Sequence, residues 1–317
     1  NPVGGGIELG YLAPKFNGCY YVNGQGGPSV LNKIVPHPIA GAGKRDMITY
    51  ASYDFEHWTR AAVLSFTRTS VPPRLPADFE MHRGEQVHEG AYLWDRGNVL
   101  VGFYGQYHNE TNDRRFATMD IGLVVSNDVV HMREPVPDFK LVSWHEEAET
   151  TGQLGVRLMP GGGIENIGDR TLHWYSTWEY PPRGEVRVAT WQRDRLGYFS
   201  AVPRQTFAGP GLTDVAVDPH LVSCPLRASG PAASIYVNAD GLSEHSFLKV
   251  EVLDTHFRPL PEYAADRCLP VVGSGLRQQV VWRGTKGLEA IGRPFRVRVN
   301  WGGLRPEDAR LYAIYVG

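Results

Sequence analysis

Along the chain, apolar residues gather in short runs separated by Gly, Pro, Asn and Asp, a pattern that predicts many short strands joined by turns. In Leu248-Lys249-Val250-Glu251-Val252-Leu253 and Phe295-Arg296-Val297-Arg298-Val299 the two kinds alternate strictly, as in strands with one face buried and one wet. No long helical period is present, so the expected class is all-β.

The runs also repeat, with a period of roughly 65 to 75 residues. A first unit takes the apolar run Leu9 to Leu12, then Cys19-Tyr20-Tyr21-Val22, Met47-Ile48-Thr49-Tyr50, the turn Ser52-Tyr53-Asp54-Phe55-Glu56-His57-Trp58, and a closing strand Ala61 to Phe66. The second repeats that order from Val87-His88-Glu89-Gly90-Ala91 through Val99 to Tyr104 and Ile121 to Val125, reaching Ser126-Asn127-Asp128 with its serine 74 residues after Ser52. A third, more divergent, runs from Gly163-Ile164-Glu165-Asn166 through Leu172 to Tyr175 and Val186 to Thr190, ending at Tyr198. Each unit, within segments 7–67, 86–142 and 151–203, reads as one four-stranded blade of a β-propeller. Asp54 and Asp128 are read as turn residues, because Ser and Asp side chains in this spacing cap nearby backbone amides. Three blades fall short of a closed ring of about 4 to 8, so another segment or another chain is expected to supply the rest.

Past the Gly/Pro-rich link Phe207 to Gly211 the order changes, and the alternating strands there predict a β-sandwich. The domains are therefore set at 1–203, propeller blades, and 204–317, C-terminal β-sandwich. Composition agrees: 36 Gly, 23 Pro, 15 Tyr and 8 Trp in 317 residues suit short strands and turns. With 32 Lys and Arg against 34 Asp and Glu and no block of like charge, a nucleic-acid or polybasic membrane surface is excluded, and a neutral polar ligand such as carbohydrate fits better. No apolar stretch approaches the ~20 residues of a membrane span. The chain opens at Asn1, which is compatible with a processed, secreted or cell-surface product. Of the three cysteines, at most one pair can bridge, with Cys224 and Cys268 the candidates. Zinc spacings and phosphate-binding glycine loops are missing: Gly161-Gly162-Gly163 reads as a bend, and His145-Glu146-Glu147 as a solvated loop. Neither a metal nor a cofactor is expected.

The turn Ser52 to Trp58, the blade opening His88-Glu89-Gly90-Ala91, and the sandwich motifs Leu248 to Leu253, Trp282-Arg283-Gly284 and Leu311-Tyr312-Ala313 resemble the five-bladed propeller glycoside hydrolases, in particular family 32 and its uncharacterised relatives. The resemblance implies that the visible units are blades three to five. It also implies that Glu89 stands at the acid/base position, while the nucleophile and stabilising aspartates lie before Asn1. The Asn-Asp-Pro and Arg-Asp-Pro motifs of that family are not found in the chain.

Glycoside hydrolysis needs two carboxyl groups about the scissile bond. Glu89 and Glu165, each opening a unit, are the expected catalytic pair, the structural alternative being salt bridges to Arg96 or Arg170. His88, beside Glu89, could bond a sugar hydroxyl or serve only as a structural imidazole. The segments Tyr104 to His108 and Trp174 to Tyr180 are expected as loops over the pocket mouth, with Gln106 and His108 bonding hydroxyls and Tyr107 and Trp178 stacking on rings. Arg96 completes the binding set. The functions implied are a glycoside hydrolase or transglycosylase, or else a non-catalytic carbohydrate-binding, cell-surface structural or assembly protein that keeps the propeller.

Overall fold

A computed structural model of the chain describes residues 7–9, 13–26, 45–59, 63–68, 84–111, 113–151, 155–178, 184–202, 218–228, 233–285, 287–288, 291 and 293–317. The protein is all-β, built from several sheets. Two compact units emerge: one comprises residues 1–165 and 172–190, the other 166–171 and 191–317. The expected boundary at 203/204 and the link at 207–211 lie outside the described residues, as do residues 10–12 of the first apolar run.

In the first unit, strands β1 (Ile7–Leu9), β2 (Lys15–Phe16), β3 (Cys19–Gly26), β4 (Asp46–Ser52) and β5 (Val63–Phe66) form an antiparallel sheet in the order β1-β3-β4-β5, with β2 folded onto β3. The next meander is β6 (Gln86–Asp95), β7 (Leu100–His108) and β8 (Thr118–Ser126), with β9 (Lys140–Val142) on β8. A short helix, α1 (Trp144–Thr151), leads to β10 (Arg157–Ile167), β11 (Arg170–Trp178) and β12 (Gly184–Gln192). The second and third repeats, expected as separate sheets, share one seven-stranded sheet, in the order β12-β11-β10-β8-β7-β6 with β9 off this path on β8, because β10 meets β8 in a single parallel pair, Arg157 with Met119. The path is not flat. Phe103 of β7 stacks on His173 of β11 at 4.8 Å, so the third repeat turns back over one face of the second.

The first repeat covers the opposite face. Phe16, Met47 and Phe66 share one apolar cluster with Val87, Ala91, Leu93, Tyr104 and Val124, and the Phe66 and Tyr104 rings meet edge to face at 5.3 Å. The second repeat is thus enclosed between its neighbours in sequence. That explains why β7 is buried along both faces and carries few of the polar positions a half-exposed strand would show.

Both Ser-x-Asp turns are structural. The Ser52 hydroxyl accepts from the Phe55 amide, and Asp54 accepts from the amides of Glu56 and His57 and from the His57 imidazole. Ser126, Asp128 and His131 reproduce the pattern, with Phe55 and Val129 at matching φ of 69° and 70°. Asp54 gains most from the backbone and imidazole of His57, which hold its carboxyl well below the usual range.

The second unit has two antiparallel sheets. One runs β13 (Phe199–Ser200), β19 (Arg310–Val316), β15 (Ile235–Asp240), β17 (Gly275–Gln279); the other runs β14 (His220–Val222), β18 (Arg296–Gly302), β16 (Phe247–Leu253). Their inward residues, among them Ile235, Val237, Val250, Val252, Val297 and Val299, belong to one core cluster. Alternation in β16 breaks at Glu251, which is buried yet paired with Arg298 at 3.4 Å. Cys224 and Cys268 do not bridge: Cys224 is an exposed thiol, and the buried Cys268 thiol accepts from the Val250 amide at 3.3 Å.

Candidate functional site

The regular ladder between β6 and β7 is interrupted at one place. His88 pairs with Gly105 and the next pair is Ala91 with Tyr104, so Glu89 and Gly90 are extra residues in a bulge. Both have positive φ, 66° at Glu89 and 130° at Gly90. A left-handed glutamate inside a strand costs about 1–3 kcal/mol and persists only where its surroundings hold it. Here β3 does so: Asn23, fully buried, donates its amide to Ala91 O at 2.9 Å and accepts from Ala91 N at 2.6 Å, while Gln25 accepts from the Glu89 amide at 2.9 Å. Gly90 is required, since a Cβ there would lie 2.6 Å from Asn23 Oδ1 and 2.8 Å from Gly24 Cα. The bulge removes Glu89 from the alternation of β6 and leaves its side chain half-buried.

On one face of β7, His88 stacks beside Tyr107 and inclines toward Trp178, with centroids 6.1 and 6.2 Å apart. Three arginines converge on this group. The Arg45 guanidinium lies 5.3 Å from the Tyr107 ring, and those of Arg157 and Arg114 lie 4.4 and 5.0 Å from the Trp178 ring. Arg157 donates Nε to Trp178 O at 3.2 Å and Nη1 to Arg114 O at 2.9 Å. Burial, then the fields of Arg45, Arg114 and Arg157, push the His88 pKa down to about 3, so the imidazole is neutral.

The other face of β7 carries Tyr104, Gln106 and His108, at the two-residue spacing of a single strand face. Arg68, 1% exposed, donates to Tyr104 at 2.8 Å and pairs with Glu85 at 2.7 Å, Asp138 at 2.8 Å and Glu134 at 3.4 Å. The Tyr104 hydroxyl donates to Glu134, and Gln106 donates to Glu134 at 3.0 Å. His108 bonds two carboxylates, Glu85 through Nδ1 at 2.7 Å and Asp120 through Nε2 at 3.0 Å. Carboxylates only accept, so this imidazole is the doubly protonated cation. Burial opposes that charge, but the bonds to Asp120 and Glu85 and the charge of Glu85 outweigh it and raise the pKa above 6.5. Glu85, His108 and Asp138 bring possible ligand atoms within 4.8 Å of one another, but the Arg68 guanidinium already bonds both carboxylates.

The structure therefore brings Glu89, His88, Tyr107 and Trp178 to one region and places Gln106 and His108 behind the strand. The segment Tyr104 to His108 is not a loop but the end of β7, and Trp174 to Trp178 is the end of β11; their polar residues serve buried networks on both sides. Residues 179 and 180 lie outside the described residues. Arg96 stands in the β6–β7 turn with its guanidinium 4.1 Å from the Trp94 ring, seven residues along the chain from Glu89, or about 20 Å at strand rise. Glu165 is exposed on β10, and its charge is felt by Tyr92 of β6. The three glycines 161–163 are not a bend: they lie in β10, and a Cβ at Gly161 would sit 2.2 Å from Trp174 O. His145-Glu146-Glu147 is not a loop either. It opens α1, and Glu147 is buried as the acceptor of the Tyr175 hydroxyl at 2.6 Å.

No family model matches the chain, and no curated protein matches it. Among solved structures it is similar to a thermostable family-43 glycoside hydrolase (14% identity over 75% of this chain and 66% of that one, TM-score 0.38). It is also similar to a glycoside hydrolase of family 32 from Bifidobacterium adolescentis (15% identity, 54% and 26%, TM-score 0.33) and a family 43 arabinoxylan arabinofuranohydrolase from Bacillus subtilis (10%, 96% and 66%, TM-score 0.33). The chain spans 66% of the first and 26% of the second. At these scores a functional reading rests on the chain's own residues.

Two outcomes are expected. Asn23→Ala orphans a buried amide and carbonyl of Ala91 and costs about 2–4 kcal/mol in denaturant unfolding; a change under about 0.5 kcal/mol would remove the clamp from the account. Stability of the first unit should also depend on His108 and its carboxylates. His108, raised in the fold, contributes fully below its unfolded value of 6.5, and that contribution fades as pH climbs through the folded value. Burial would raise Glu85 and Asp120, but their bonds to His108 hold both below 4.5 and 3.8, so their contribution is present above those values and lost as pH falls. Thermal midpoints should therefore peak between about 4.5 and 6.5. His108→Gln should flatten the alkaline side, and an unchanged alkaline slope in that variant would refute the assignment.

Proposed function

We propose that the protein is a glycoside hydrolase in which Glu89 is the general acid. The observation that carries this reading is the bulge: a glutamate held at positive φ by two buried amide side chains of a neighbouring strand, where regular pairing would have been cheaper. Strain of this kind collects where a side chain must be aimed. Beside it, the half-buried indole of Trp178 offers apolar surface suited to the C–H face of a sugar, and neutral His88, packed on the buried Tyr107 ring, can exchange hydrogen bonds with a hydroxyl.

In this mechanism Glu89, protonated, donates to the leaving glycosidic oxygen while a second, ionised carboxylate attacks the anomeric carbon or activates water there. Glu165 is assigned that second role; its electrostatic reach to Tyr92, three residues beyond Glu89 on β6, supports it. The stacked repeats are read as successive blades of a propeller, with further blades contributed by another segment or chain, and the two sheets of the second unit as a sandwich. The protein acts on carbohydrate outside the cell. A second reading is favoured by the missing Asn-Asp-Pro and Arg-Asp-Pro motifs: a carbohydrate-binding protein that has kept the site without its nucleophile.

Aryl glycosides of graded leaving-group acidity separate these readings. Glu89→Gln should lower kcat/KM by about 10²–10⁴ for poor leaving groups and far less for dinitrophenyl glycosides, which need no proton. Equal losses for both leaving groups would reject the acid role. Saturable binding by the wild-type protein with no turnover of any glycoside would select the binding protein.

A further inference from the structure

Three arginines are buried in the first unit, Arg45, Arg68 and Arg157; the last two lie on opposite sides of β7, and their surroundings differ. Arg68 meets three carboxylates, the ordinary way to compensate a buried cation. Arg157, 3% exposed, meets none: among the described residues its partners are two backbone carbonyls, and its Nη2 has no partner at all. Arg114, exposed at the rim, likewise has no carboxylate partner among the described residues. The nearest acid in sequence, Asp113, turns to Arg115 instead and bonds its Nε at 2.9 Å. His88, 5% exposed, also leaves a buried nitrogen, Nδ1, without a partner. Besides burial, the fields of Arg45, Arg114 and Arg157 all reach this imidazole and disfavour its cation. Contacts with the face of Trp178 offset part of the cost of burying the guanidinium, yet a ring quadrupole supplies much less than a counter-charge.

We infer that the cluster of Arg157, Arg114, Arg45, His88 and Trp178 binds an anionic substituent of the sugar, a carboxylate or a sulfate ester, so that the protein is selective for acidic glycans. Cleavage of such a glycan rests on the hydrolase reading; its binding does not. The buried Nη2 of Arg157, which has no partner, would meet one oxygen of such a group, exposed Arg114 supplies a second cation, and the half-buried indole that both guanidinia meet would lie beside the sugar that carries the charge. A neutral glycan would leave the buried guanidinium as poorly compensated as before.

Calorimetric titration tests this with four probes: methyl glucuronide, glucose 6-sulfate, methyl glucoside and inorganic sulfate. The wild-type protein and Glu89→Gln should both bind one or both charged sugars at least about tenfold more tightly than methyl glucoside, with affinity falling at high salt. The two charged sugars distinguish carboxylate from sulfate ester, and inorganic sulfate reports whether the anion suffices without the ring. Arg157→Met and Arg114→Ala should each erase about tenfold of the charged-sugar affinity and leave methyl glucoside unchanged. Should Arg157→Met not fold, the exposed Arg114→Ala decides. Equal affinity for charged and neutral sugars, or charged-sugar affinity indifferent to Arg114→Ala, overturns the inference. The two proposals fail separately. Arginine-dependent binding without turnover ends the hydrolase reading alone, and Glu89-dependent cleavage of neutral glycosides untouched by Arg114→Ala ends this one alone.

Discussion

The hydrogen-bond requirements of Ala91 organise the first unit. A strand that bulges by two residues leaves amides and carbonyls unpaired, and in a buried setting each must find a partner. Asn23 meets both needs of Ala91 with one planar amide, and Gln25 meets that of Glu89. This works only because β3 approaches to within contact of Gly90, which no side chain would permit. The first and second repeats are thereby fixed in register by polar contacts, while the shared cluster of Phe16, Met47, Val87 and Tyr104 supplies the nondirectional attraction. Apolar packing alone would tolerate a sliding interface; a bidentate amide does not.

Around this fixed point, β7 separates two electrostatic settings. On one side Glu85, Asp120, Glu134 and Asp138 are balanced by Arg68, protonated His108 and Lys140, a network closed on itself. On the other, cations face aromatic rings, and His88 among them is kept neutral by burial and then by the fields of its neighbours. The two histidines, His88 and His108, carry opposite charge states for the same reason: each answers to the sign of the groups that surround it.

Much of the architecture could be read from residue order. The paired turns at Ser52 and Ser126 hold because the motif is local, its donors and acceptors lying within five residues. Alternation marked β16 and β18 because each has one face on a core. Among the site residues, the bulge at Glu89 coincides with the motif that singled it out, whereas Gln106 and His108 sit behind the strand. Tyr104 to His108 was expected as a loop from its place between the second and third strands of its repeat; the strand instead runs on through His108, which is met by tertiary ion pairs. The arginine group was invisible for a related cause. Arg157 is brought to the cluster where β10 pairs with Met119 of β8, a contact between repeats that no local pattern encodes. The helix at Trp144 was missed because its buried contact, Glu147 with Tyr175, joins residues 28 apart.

The division of labour across β7 depends on parity alone. Removing one residue from the strand ahead of Phe103 would present Tyr104, Gln106 and His108 to the arginines and turn Phe103 and Tyr107 toward the carboxylates, inverting both charge environments without changing any of these side chains. This stretch of chain is therefore far less tolerant of a change in length than of a change in identity.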